Sequence, residues 1–184
     1  MAVKHESVKT KKSTQVRFSK KTIDKTKKEL VLKVPCGGQI IRYFDLTPQL
    51  PIKGVQNKWS FVEAKKSKQI GNIDVGFCDN NSHIERYLER AILIVRIKND
   101  NPDKGLWRFA MGGVATFLND SNPDNDLDVQ VIDNGFTLIF TVEAHEDCNK
   151  LANFQFVASY TETATGIITV YQSDDPGIGT KRPA

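Results

Sequence analysis

The chain has 184 residues, with 39% in the hydrophobic set and 26% charged, a balance that suits one globular core and excludes wholesale disorder or a collagen-like repeat. The net charge of +4 joins two unlike parts: residues 1–33 hold 11 basic and 3 acidic residues, and residues 34–184 hold 15 basic and 19 acidic. A basic arm of net +8 therefore precedes a body of net −4.

Residues 1–28 are rich in Lys, Ser and Thr, with apolar residues too sparse to form a buried face, and are read as a flexible arm. Its cations, Lys4, Lys9, Lys11, Lys12, Arg17, Lys20, Lys21, Lys25, Lys27 and Lys28, are the candidate nucleic-acid-binding residues. Cations on an unstructured segment neutralise phosphates and release counterions, giving salt-sensitive affinity for RNA or single-stranded DNA without sequence preference. Phe18 is the arm's one aromatic ring, so base stacking is not supported. A plain solvated extension is the bland alternative. No apolar stretch follows the lysines as a secretory signal requires, and the run around Ala91–Ile97 is far short of the roughly 20 residues that cross a bilayer; no membrane partner is expected.

From residue 29 the pattern changes to short runs of Val, Ile, Phe, Tyr and Thr separated by Gly, Pro, Asn and Asp, which is the pattern of strands and turns. Strands are predicted at 29–34, 39–45, 58–63, 72–78, 91–98, 106–118, 127–132, 136–143, 154–161 and 166–172. Ser82-His83-Ile84-Glu85 has capping-box spacing, and Ile84, Tyr87, Leu88 and Ala91 follow at helical intervals, predicting a two-turn amphipathic helix. A second helical turn is expected around 146–151. Asn134-Gly135 favours a type I′ hairpin turn, and Thr165-Gly166 suggests another hairpin. Together these predict an all-β fold, an antiparallel β-sandwich of jelly-roll type with one or two short helices and a disordered basic N-terminal arm. The organisation is arm 1–28, sandwich domain 29–172 and C-terminal tail 173–184.

Cys36, Cys78 and Cys148 are an odd number widely spaced, so no disulfide framework is indicated and a reducing, intracellular compartment is expected. Cys78 with His83 and His145 with Cys148 lack the usual zinc spacings. Asp120, Asn122, Asp124, Asp126 and Asp128 place oxygens at every second position, a pattern able to turn toward Ca²⁺, although the glycine and terminal glutamate of an EF-hand are missing. No cofactor is otherwise required. Glu143, Glu146 and Asp147 beside His145 offer acid–base groups, but no nucleophile elbow, phosphate loop or His-Glu-x-x-His motif is present, and the chain is read as no enzyme.

A lysine-rich arm, a β-rich body, a short helix between strands and an Asp-rich loop resemble the coat proteins of small single-stranded RNA viruses and satellite viruses. The resemblance implies a jelly-roll shell, self-assembly of a homo-oligomer into a closed capsid, genome binding by the arm lysines and Arg17, cations at subunit contacts, and a location in the virion and host cytoplasm. Two other readings stand beside it: a viral cell-to-cell movement protein or other nucleic-acid-binding sandwich, and a non-viral calcium-dependent binding module.

Overall fold

The computed structural model describes residues 28–52, 59–79, 82–116, 127–146, 148–173 and 176–182, and within them eleven strands form two sheets. In chain order these are β1 (Lys28–Lys33), β2 (Gln39–Thr47), β3 (Ser60–Glu63), β4 (Ile70–Gly76), β5 (Arg90–Ile97), β6 (Gly105–Thr116), β7 (Leu127–Ile132), β8 (Thr137–Glu143), β9 (Cys148–Glu162), β10 (Ile168–Gln172) and β11 (Gly177–Arg182). One sheet runs β3-β2-β5-β8-β7. The other runs β1-β4-β11-β9-β10, with β6 on the opposite side of β9. The long β9 holds this second sheet together, pairing β11 along its first half and β10 along its second.

The two-residue period of a strand separates the faces. In β5, Ala91, Leu93, Val95 and Ile97 point inward and are buried, while Ile92 and Ile94 on the other face are only half-buried. The space between the sheets is filled by rings. Phe156 lies 5.2 Å from Phe61 and 5.3 Å from Phe154, Phe140 lies 5.1 Å from Phe154, and Phe44 lies 5.2 Å from Phe61. Trp107 adds a second cluster with Trp59, Tyr160 and Tyr171 at 5.0–5.6 Å. Offset and edge-on ring pairs at these distances add to the area they bury, which is why Phe residues from four strands converge on one core.

The β-sandwich expected from the sequence is the observed architecture, and every predicted strand is present. Both predicted hairpins form. Phe136 N donates to Asp133 O at 3.0 Å across Asn134 (φ 52°) and Gly135 (φ 91°), left-handed as the sequence predicts; Asp133 (φ 53°) is left-handed too, so the turn takes in residues 133–136 between the last paired residues, Ile132 and Thr137 of the antiparallel β7 and β8. The β9–β10 turn closes with Gly166 N donating to Glu162 O at 2.8 Å.

Four details differ. The sheets are mixed, because β1 and β11 both run parallel to β4, and β2 runs parallel to β5, which departs from an antiparallel jelly-roll. Helix α1 (His83–Arg86) is a single turn. Its cap is as predicted, with the Ser82 hydroxyl accepting from Glu85 N at 3.5 Å, but Ile84, Tyr87 and Leu88 face solvent, so no buried stripe extends it to a second turn. Residues 148–151, read as helical, begin β9, where pairing with β11 overrides local preference.

The fourth difference is at the C-terminus. Residues 177–182, assigned to a tail, form β11, an interior strand with neighbours on both sides. Burial there comes from position in the sheet and not from composition. At Gly179 a β-carbon would fall 2.3 Å from Asp74 Oδ1, and the missing side chain lets that carboxylate reach across to Lys181 Nζ at 2.6 Å. That hydrogen bond, with the charge of Asp74, raises the Lys181 pKa above its usual value.

Candidate functional site

The outer face of the five-stranded sheet is built from consecutive rows of the register. Ile92 stands between Ile41 on β2 and Thr141 on β8, Ile94 between Tyr43 and Ile139, and Arg96 between Asp45 and Thr137, with Ile132 on β7 beyond. Antiparallel sheets commonly leave one face to water, and that face is ordinarily polar. Here its centre is apolar: Ile41 and Tyr43 are each 47% exposed and Ile132 is 43% exposed. A contiguous apolar patch crossing four strands marks an interaction surface.

The charged groups around this patch have neighbours of opposite charge or a ring within the chain. Lys98 Nζ lies 3.4 Å from Asp45 Oδ1, Arg90 Nε lies 3.4 Å from Glu143 Oε1, and the Arg96 guanidinium lies over the Tyr43 ring at 5.6 Å. An apolar centre ringed by polar and charged groups is the anatomy of a protein interface.

A second cluster lies at the end of the sandwich near α1, and it is closed to solvent. The side chains of Glu89 and Arg182 are both fully buried, and Arg182 Nη2 donates to Glu89 Oε2 at 2.5 Å. Arg182 Nε donates to Ala144 O at 2.7 Å and Nη1 to Cys78 O at 2.6 Å, with Phe77 under the guanidinium at 5.1 Å. Glu89 Oε1 accepts from Gly37 N at 2.8 Å. The cluster ties the chain's last described residue to the β4 end, the β8 end and the loop after β1. Its chemistry is that of a clasp: the guanidinium is enclosed by backbone carbonyls and one carboxylate.

The clasp contains a disulfide. Cys36 and Cys78 are bonded, with their Cα atoms 5.1 Å apart, which corrects the expectation of unpaired thiols and removes the basis for the reducing compartment inferred from them. The cause is topological. β1 and β4 are parallel neighbours that end together, Lys33 opposite Gly76, and Val34 N still donates to Gly76 O at 2.9 Å, so the chain carries Cys36 and Cys78 forward side by side. Cys78 is thereby removed from any metal-ligand set.

Above the clasp, His145 Nε2 lies 3.1 Å from Glu143 Oε2, and its ring stacks on Tyr87 at 4.4 Å. Of the acid–base neighbours noted in the sequence, Glu143 meets His145, whose ring also contacts Tyr87 on the surface turn, and Asp147 lies outside the described residues.

Of the predicted nucleic-acid-binding residues, Lys4, Lys9, Lys11, Lys12, Arg17, Lys20, Lys21, Lys25 and Lys27 lie outside the described residues, and Lys28 opens β1. Of the calcium candidates, Asp120, Asn122, Asp124 and Asp126 lie outside the described residues. Asp128 is exposed on β7, at the border of the apolar face, where its Oδ2 accepts from Gln130 Nε2 at 2.9 Å. Among the described residues no group of three or more His, Cys, Asp or Glu side chains is placed to hold a metal ion. No helix among them is long and apolar enough to cross a membrane.

A family model described as the DP-EP family matches residues 26–182, the whole of the β body. The chain belongs to the DP-EP family. This membership overturns the resemblance to viral coat proteins and, with it, the capsid role, the genome-packaging function, the movement-protein alternative and the location in a virion and host cytoplasm. The resemblance rested on architecture, a basic arm before a β-sandwich, and that arrangement is shared by proteins of unrelated function. No curated protein matches the sequence. Among solved structures, the inclusion body protein PixA from Burkholderia cenocepacia aligns with 90% of this chain and 99% of its own, at 8% identity and a TM-score of 0.38.

Proposed function

We propose that this DP-EP protein is a non-catalytic, self-associating β-sandwich whose copies meet through the outer face of the five-stranded sheet. The observation that carries the reading is the apolar surface across four strands in which Ile41, Tyr43 and Ile132 are exposed and Ile92, Ile94 and Ile139 are half-buried between them. A second copy is the fitting occupant. Its charges at Asp45, Lys98, Arg90 and Glu143 are already paired within its own chain and Arg96 lies against its own Tyr43 ring, which lowers the repulsion between two identical faces. A two-fold axis then makes the patch its own complement.

Full burial of an isoleucine side chain contributes about 1.5–3 kcal/mol. Ile94 lies in the middle of the face, pairs Tyr43 and Ile139 in the register and points away from the core, so Ile94→Lys is expected to leave the fold intact. It is expected to weaken association roughly 100-fold, because each of two copies loses an apolar contact and buries an amine. Sedimentation velocity checks this, and an unchanged mass distribution with native circular dichroism refutes the reading.

The charge division favours a second role for the arm, in engaging polyanions. Deleting residues 1–27 removes eight Lys, one Arg and two acidic residues from the chain, and is expected to abolish salt-sensitive retention on heparin or single-stranded RNA. The body, which begins at β1, should keep its circular dichroism spectrum. Equal salt elution of the full and shortened chains counts against the arm as the polyanion-binding element.

A further inference from the structure

Strand β10 is an edge strand, and its protection differs from that of every other described sheet edge. β1 carries Lys28, Glu29 and Lys33, β3 has four residues ending in Glu63, β7 carries Asp128, and the register of β6 against β9 breaks between Phe109 and Val114. Charge, brevity and bulges are the devices that stop one sheet edge from pairing with another. β10, at five residues, is short as well, but it has neither charge nor bulge. From Ile167 to Ser173 the sequence is Ile-Ile-Thr-Val-Tyr-Gln-Ser, without charge or proline, and Ile167, Ile168 and Val170 are 60%, 66% and 47% exposed.

The hydrogen bonds that bracket the strand fix which backbone groups are open. Glu162 N donates to Ile167 O and Ser173 N donates to Phe156 O, both at 2.9 Å. In an antiparallel pair the bonded residues alternate, so 167, 169, 171 and 173 turn their backbones toward β9. The N–H and C=O groups of Ile168, Val170 and Gln172 therefore turn outward. Tyr171 anchors the strand to the core, with its ring 5.4 Å from Trp107, so the open edge is held in a fixed conformation.

We infer that β10 is a second self-association site, pairing antiparallel with β10 of another copy about a two-fold axis at Val170. That register places Val170 opposite its own equivalent and Ile168 opposite Gln172, and every outward N–H and C=O of the three residues finds a partner. No other alignment is needed, because the three open positions are symmetric about Val170. The absence of charge lets two copies of the same segment meet without repulsion. The site is separate from the apolar face of the five-stranded sheet, and each can fail without the other. Two distinct two-fold contacts on one chain build assemblies larger than a dimer.

The test uses the full chain and sedimentation velocity, with circular dichroism as a control for folding. Val170→Lys is expected to reduce the mean assembly mass at least two-fold. Residues directly opposite in a hydrogen-bonded antiparallel pair have Cα atoms about 5.5 Å apart, within disulfide range. Val170→Cys is therefore expected to form a covalent dimer under mild oxidation on a non-reducing gel, while Thr169→Cys and the wild type with Cys148 do not. A folded Val170→Lys variant that keeps the wild-type mass, a Val170→Cys variant that stays uncross-linked, or a wild type monomeric at the highest concentration reached overturns the edge pairing. A mass that falls with Val170→Lys and not with Ile94→Lys supports the edge and refutes the face.

Discussion

Replacing Arg182 by methionine is expected to cost about 3–5 kcal/mol of folding stability, the range for breaking a buried ion pair from one side. The side chain of Glu89 is fully buried, so removing the guanidinium leaves a carboxylate in a medium that solvates charge poorly. The carbonyls of Ala144 and Cys78 lose donors in the same step. Because a domain of this size is stable by only about 5–15 kcal/mol, the loss is a large share of the total. Urea denaturation measures it, and a change below about 1 kcal/mol, the scale of surface pairs, would show that Arg182 is not the lock the geometry describes. The double replacement Glu89→Leu with Arg182→Met should recover most of the loss, since an apolar pair of similar volume carries no desolvation penalty.

The clasp also shows where sequence reasoning reaches its limit. β5 and the β7–β8 hairpin are legible because their signals are local: an unbroken run of apolar residues from Ala91 to Val95, and Asn134-Gly135 at a turn that needs left-handed backbone. β11 has no such signal. Gly-Ile-Gly-Thr-Lys-Arg, with a single large apolar residue, is a strand only because β4 and β9 stand on either side of it. Arg182 then reads as a solvated charge near a chain end, although it is among the most buried side chains in the protein. The disulfide is hidden for a related reason, since 42 residues separate its cysteines and the parallel pairing of β1 with β4 that joins them has no local signature.

The apolar face is a partial case. Ile92 and Ile94 are visible in the sequence as members of a near-continuous apolar run, which is also how a strand buried on both faces reads. Only the layer order, with no helix or third sheet over β2-β5-β8 among the described residues, turns that run into an exposed surface. The resemblance to coat proteins failed at a different level. Arm and sandwich were identified as shapes, and shape is compatible with many functions, whereas membership of the DP-EP family follows from the residues of the body itself.

Loss of the Cys36–Cys78 bond, by reduction or by Cys78→Ser, is expected to destabilise the protein by about 4 kcal/mol, the chain-entropy value for a loop of this span. For a body of this length that corresponds to a fall in melting temperature of roughly 8–16 °C. The bond and the buried ion pair share atoms of the same two loops: Gly37 N, next to Cys36, donates to Glu89, and Cys78 O accepts from Arg182. Their effects should not add. Once Arg182 is methionine, Cys78 O has already lost its charged donor, so freeing the loop removes less than it does in the wild type. A double-mutant cycle of Cys78→Ser against Arg182→Met is expected to give a coupling of about 0.5–3 kcal/mol, as for residues in one bonded network. Strict additivity would mean that the disulfide restrains the unfolded chain alone. Coupling would mean that it also holds the carbonyl and amide that position the ion pair, so that the redox state of Cys36 and Cys78 sets how firmly β11 is seated.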